Sequence, residues 1–317
     1  MRTYLSALFA TIALTTFAAD PSGGPSQSSD SKNPNGGEVA IGRAKKENLL
    51  PWPEPEIAAV QKLEKELKAD LPAESFSFRR LGPWVIATDL PADEAKLFID
   101  GTMARGGAAI QRQLFTKTAR TEPVKVYLFK NHDSYTLYNK KLFGEHPTTP
   151  YGYYSRHKKA LVMNIGTGGG TLLHEMVHAM AEADFEEIPS WLNEGLGSLY
   201  EASMTDRAGK VRGVTNWRLR GLLKDLDAGT ATKFSDLVAM DTNTFYGERS
   251  GSNYAASRYL MQYLQEKGKL ETFYTRIRDK KDKDAAASLK FCFDDKLSVE
   301  EIEKQVYAWV KTLVAPK

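Results

Sequence analysis

A glycine-rich run, Gly166-Thr167-Gly168-Gly169-Gly170, divides this chain into two halves with different patterns. Ahead of it, short alternating apolar stretches are mixed with helical ones. Behind it, almost every apolar stretch repeats at helical spacing. Such a chain is constrained to an α+β fold: a mixed α/β part with a small sheet over 51–170, then a mainly helical part over 171–317.

In the first half, residues 54–68 place Ile57, Val60, Leu63 and Leu67 on one helical stripe. Residues 76–88 alternate as one or two strands, bent at Gly82-Pro83. A long helix is expected over 91–115, a strand over 124–129 and a helix over 132–143. Residues 151–154 and 160–165 read as a hairpin with 155–159 as its polar turn. In the second half, helices are expected over 171–184, 190–203, 215–227, 234–240, 253–267, 270–278 and 298–313.

The first fifty residues read as outside the fold. Met1-Arg2 gives a positive end, 5–17 is an apolar run, and Ala18-Ala19 suits cleavage. That order of regions predicts a signal peptide over 1–19, hence an exported protein, periplasmic or secreted. Residues 20–50 are rich in Pro, Ser, Gly, Asn and Lys and read as a flexible linker. No later stretch approaches the roughly 20 apolar residues of a membrane span. Forty-three basic against 40 acidic side chains leave a net charge of only +3, which argues against a nucleic-acid partner. Cys292 is the single cysteine, so it can form neither an internal disulfide nor a thiolate metal site by itself.

The chain has five histidines, and two of them fall in His174-Glu175-Met176-Val177-His178. Residues four apart share one face of a helix, so both imidazoles can reach one metal ion. Glu175 projects toward the same cavity, where it can take a proton from a metal-bound water. Leu172, Leu173, Met176, Val177 and Met180 suit a buried helix that excludes solvent from the site. A catalytic zinc needs a third protein ligand and an open position. Past a short loop, Ile188-Pro189-Ser190 reads as a helix start with Ser190 as N-cap, followed by Trp191-Leu192-Asn193-Glu194-Gly195-Leu196-Gly197. Glu194 on that second helix can meet the two histidines from the side. Gly195 and Gly197 remove bulk and would let the helices approach closely.

Together the two motifs resemble the gluzincins, HExxH metallopeptidases whose third zinc ligand is a glutamate on a following helix. The run Trp191 to Gly195, continued to Glu201, is similar to the second zinc motif of the aminopeptidase-type members. Residues from about 51 to 317 resemble exported bacterial proteins of the peptidase MA-like group, in which a Tyr-rich hairpin, an HExxH helix and a Trp-Leu-x-Glu-Gly motif follow in this order. The resemblance implies a zincin-like fold with the active site at the junction of the halves. It implies Zn2+ held by His174, His178 and Glu194, with Glu175 as general base. It places Asn193 and Glu201 near the metal, with Glu201 able to orient a zinc-bound imidazole or else to lie as a solvated helix charge. It also implies a later tyrosine that stabilises the oxyanion: Tyr254, with Tyr246 as competitor. Finally, it implies that an edge strand, expected at 160–165, binds substrate backbone; a plain core strand there is equally compatible with the sequence.

Two departures narrow the reading. Only fifteen residues separate His178 from Glu194, so the connecting loop must be tight. No match to the amine-binding Gly-Ala-Met-Glu-Asn motif of aminopeptidases is present. The expectation is therefore an exported zinc-dependent hydrolase, a peptidase acting on a peptide or protein substrate, with the cell envelope as one source. The alternative is a non-catalytic, zinc-containing binding module of the envelope, for which an intact Glu175 has no use.

Overall fold

The computed structural model describes Trp52 and residues 54–315, apart from Arg207 and Asp282. The leader expected over 1–19 and the linker over 20–50 lie outside the described residues. Helix α1 (Ile57–Asp70) leads into the hairpin of β1 (Ser77–Leu81) and β2 (Trp84–Thr88). Gly82 turns this hairpin at φ 54°, a left-handed conformation that glycine adopts without strain. A helical run follows: α2 (Ala92–Lys96), a π-helical stretch Leu97–Gly107, and α3 (Ala108–Gln113). It returns the chain to β3 (Val124–Phe129). Helix α4 (His132–Phe143) then crosses to the hairpin of β4 (Gly152–Ser155) and β5 (Ala160–Asn164). Asn131 caps α4 by accepting the Ser134 N–H at 3.0 Å, and left-handed Gly144 ends it.

The sheet runs in the order β1-β2-β3-β5-β4. The three inner strands are parallel, and the two edge strands are antiparallel to their neighbours. Alternation sorts the side chains of the inner strands between two faces. Val85, Ala87, Tyr127, Phe129, Ala160 and Val162 pack against α1 and α4. Trp84, Ile86, Val126, Leu128, Leu161 and Met163 join the larger core shared with the helical half. Strands covered on both faces must be apolar on both, which is why β2, β3 and β5 read as apolar runs.

Two expectations change here. The helix expected over 91–115 is a helical run whose middle is π-helical. Gly101, Gly106 and Gly107 fall in that stretch, where α-helical propensity is weakest. The strand expected at the edge, 160–165, is interior: β5 pairs with β3 on one side and β4 on the other. The edge strand is β4.

In the helical half, α5 (Gly169–Asp184) and α6 (Ser190–Tyr200) pack side by side. The helix expected to reach 203 stops at Tyr200, whose carbonyl accepts a hydrogen bond from the Ser203 hydroxyl at 2.9 Å. A small antiparallel hairpin follows, β6 (Ser203–Thr205) and β7 (Val211–Gly213). The chain continues through α7 (Arg218–Asp227), α8 (Phe234–Leu237), α9 (Thr242–Phe245), α10 (Ser250–Glu266), α11 (Leu270–Arg278), α12 (Ala285–Phe291) and α13 (Val299–Val310). Helices α9 and α12 are short, and Asp241 and Asp284 cap their N-termini. The two halves share one apolar core. Among the described residues no helix is long and apolar enough to cross a membrane.

Candidate metal centre

Helix α5 carries His174, Glu175 and His178, and α6 carries Asn193 and Glu194. Gly197 allows these helices to meet: a Cβ there would lie 2.8 Å from His174 Nε2. Gly195, expected to serve the same contact, faces α10 instead, where an added Cβ would meet Ser257 Oγ at 2.7 Å. Gly170 performs the reciprocal task on α5, lying against the backbone carbonyl of Glu201.

His174 Nε2 lies 3.1 Å and His178 Nε2 3.6 Å from the same Glu194 oxygen, Oε2. A tetrahedral zinc with bonds of about 2.1 Å separates its ligand atoms by about 3.4 Å. One donor atom each from His174, His178 and Glu194 can be chosen so that all lie within 4.8 Å of one another. No other group of three such residues meets this test among the described residues. The donor set of two imidazoles and a carboxylate is also the chemistry of a three-ligand zinc site.

The far sides of the imidazoles are held too. His178 Nδ1–H donates to Asn193 Oδ1 at 2.9 Å, and His174 Nδ1–H donates to Glu201 Oε2 at 3.2 Å. A proton fixed on Nδ1 leaves the Nε2 lone pair for a metal. Glu201 is not a solvated helix charge. Its other oxygen accepts from Asn216 Nδ2 at 2.9 Å and from Arg218 Nε at 3.2 Å. The Arg218 guanidinium lies over the Tyr254 ring, 4.8 Å from its centroid, and beside exposed Trp217.

The electrostatics follow from burial and pairing. Burial lowers the His174 pKa, but its hydrogen bonds to Glu194 and Glu201, which accept, outweigh it and raise the imidazole to about 10. Burial raises Glu194, yet the adjacent imidazoles and the Tyr246 hydroxyl bring it down to about 2. Glu201 is lowered because the His174 and Arg218 contacts outweigh its burial. Glu175 is raised: burial exceeds the pull of the two imidazoles. Its Oε2 accepts the Tyr154 N–H of β4 at 2.8 Å.

Both sequence-derived tyrosines reach the centre. The Tyr246 hydroxyl donates to Glu194 Oε1 at 2.5 Å. The Tyr254 ring packs beside that of Tyr246, centroids 6.2 Å apart, close enough for its hydroxyl to feel the Glu194 charge. Burial, then the Glu194 charge, pushes both phenols well above their ordinary range, so both keep their protons. The remaining histidines, His132, His146 and His157, are exposed. Sequence reasoning missed Tyr154, Asn216 and Arg218, because their roles depend on strand order and on loops packed from elsewhere.

No known family model matches the chain, and no curated protein matches it.

Proposed function

We propose that this chain is a metal-dependent hydrolase of the gluzincin kind. More narrowly, it is a zinc peptidase, with His174, His178 and Glu194 holding the ion and Glu175 as base. The observation that carries this reading is the pair of locked imidazoles: Asn193 and Glu201 hold both Nδ1 atoms, so both Nε2 atoms converge on one Glu194 oxygen. A bound zinc supplies Lewis acidity, polarising a carbonyl and lowering the pKa of water. Glu175 takes up the proton of the attacking water and returns it to the leaving nitrogen, a task suited to a buried carboxylate of raised pKa. Tyr254 donates its hydroxyl hydrogen to the carbonyl oxygen as negative charge develops there, while Tyr246 holds Glu194.

Substrate alignment falls to β4. In the antiparallel β4–β5 ladder, Asn164 N–H donates to Tyr151 O at 2.9 Å, so Tyr151 and Tyr153 face β5. Gly152 and Tyr154 therefore turn their backbone groups outward, the Tyr154 amide toward Glu175. An extended peptide can add to that edge by backbone hydrogen bonds, which favours an amide substrate. With the leader expected at 1–19, that substrate is an extracellular or envelope peptide.

Metal analysis of the purified protein tests the reading. We expect one zinc per chain, lost in His174→Ala. Glu175→Gln should retain zinc and lose cleavage of a peptide library. A native protein without stoichiometric zinc, or a Glu175→Gln variant of native activity, would refute it.

A further inference from the structure

Among the described residues, one peptide N–H holds the Glu175 carboxylate, that of Tyr154. That amide belongs to β4, which is paired on one side only. An edge strand held on a single side frays easily. Something else must therefore fix its height over α5.

The Tyr154 side chain does this. Its hydroxyl donates to Glu182 Oε2 and accepts from Arg120 Nη2 at 3.1 Å. Glu175 and Glu182 are seven residues apart on α5, two turns along the same face, about 10 Å. Tyr154 thus spans the face, with its amide on one carboxylate and its phenol on the other. Arg120 completes the clamp. Its side chain is 3% exposed, its Nε donates to Ala179 O at 2.7 Å, and its Nη2 donates to Glu182 Oε2 at 2.9 Å. Arg156, just past β4, binds the other Glu182 oxygen at 3.3 Å and donates to Glu186 O at 2.8 Å.

Arg120 is itself anchored. The loop carrying it presents the Lys117 and Thr118 N–H groups to Asp184 Oδ1 at 2.7 and 2.8 Å. The other Asp184 oxygen accepts from the Tyr274 hydroxyl at 2.8 Å and from Arg278 Nη1 at 2.9 Å. This loop is therefore fixed along the last turns of α5, and the clamp has a rigid base.

We propose that Tyr154 is a positioning residue for Glu175, and that the Arg120–Glu182 pair locks it there. The clamp sets the β4 amide against one Glu175 oxygen and keeps the other aimed at the centre. The same contact fixes the height of the β4 edge along which a substrate lies. This rests on the reading of Glu175 as base; the clamp itself can be tested without that reading.

The test uses the full chain, wild type and two conservative variants, Tyr154→Phe and Glu182→Gln. Amide exchange at Tyr154 is followed by NMR on protein labelled with 15N-tyrosine. Hydrolysis is followed on whichever library peptide the wild type cleaves, and bound zinc is measured in parallel. We expect Tyr154 amide exchange to accelerate about tenfold in both variants, about 1.4 kcal/mol of lost local stability. We also expect kcat to fall about tenfold, with KM and zinc content unchanged. Unchanged Tyr154 exchange in both variants overturns the clamp. Faster exchange with unchanged kcat overturns its positioning role, as does a fall in kcat that merely tracks lost zinc. If the wild type cleaves nothing, the functional reading fails, and the exchange result alone decides the clamp.

Discussion

Glu201 is where a substitution should separate charge from packing at the candidate metal centre. Its carboxylate accepts from three donors: His174 Nδ1 at 3.2 Å, Asn216 Nδ2 at 2.9 Å and Arg218 Nε at 3.2 Å. A glutamine has one acceptor oxygen, and its amide would turn two hydrogens toward other donors. Glu201→Gln must therefore lose at least one contact, and it removes the charge that favours a proton on Nδ1 of His174. Glu201→Ala removes every contact and leaves Arg218 without its carboxylate. Losing such an outer partner of a metal-binding imidazole costs about 10- to 100-fold in metal affinity, about 1.4 to 2.7 kcal/mol. We expect about tenfold for glutamine and about a hundredfold for alanine. Alanine should carry a further fold-stability cost of about 1–3 kcal/mol from the stranded polar groups. Zinc affinity is read by competition against a chromophoric chelator at fixed pH, and stability by urea unfolding of the metal-free protein. Native zinc affinity in both variants would refute the argument that Glu201 orients His174.

Two further predictions concern the same helices. Gly197→Ala places a methyl carbon 2.8 Å from His174 Nε2, so α6 must shift or the imidazole must turn. Zinc binding should fall more than a hundredfold while the fold survives, with a loss of about 1–3 kcal/mol; tight zinc binding in that variant refutes the packing. For the proposed zinc site, the raised His174 pKa, about 10, should make zinc loading pH-dependent. Between the ordinary value, 6.5, and about 10 the metal-free folded protein keeps a proton that zinc must displace. Affinity should therefore rise up to about tenfold per pH unit in that window, with about one proton released. Calorimetry in buffers of different protonation enthalpy counts it, and zero release refutes the pairing. By the same sign, the stability that this pairing lends the metal-free fold is complete below pH 6.5 and is lost as pH rises through about 10.

What could be read ahead of the structure was local. The spacing of His174 and His178 and the helix start near Ser190 are short-range signals, and α5 and α6 follow them closely, although Pro189 holds the N-cap position and the Ser190 hydroxyl pairs with Thr242 instead. Helix α11 coincides with the expected 270–278. The misses were long-range or short in length. The β6–β7 hairpin has three residues a side, too few for a periodic signal. Arg218 binds Glu201 from beyond that hairpin, and Arg120 meets Glu182 from 62 residues away. Neither arginine sits in a motif that spacing could single out.

The strand order was nevertheless within reach of the sequence. Of the two strands in the hairpin at 152–164, one must pair with β3 and the other must end the sheet. Ala160-Leu161-Val162-Met163 is apolar on both faces, as a strand covered on both sides requires. Gly152-Tyr153-Tyr154-Ser155 mixes small, aromatic and hydroxyl residues, and three of its four positions are only partly buried. Tyr153 packs toward α4, donating nothing to the centre, while its hydroxyl accepts from Asn139 Nδ2 at 3.0 Å. Tyr154 packs toward α5. A strand whose two adjacent tyrosines each find a polar partner on opposite faces of the sheet is tied down by side chains, as a strand without a second neighbour must be. Its outer backbone edge, paired with no strand, then lies beside Glu175, which accepts the Tyr154 N–H, as a consequence of the sheet's order.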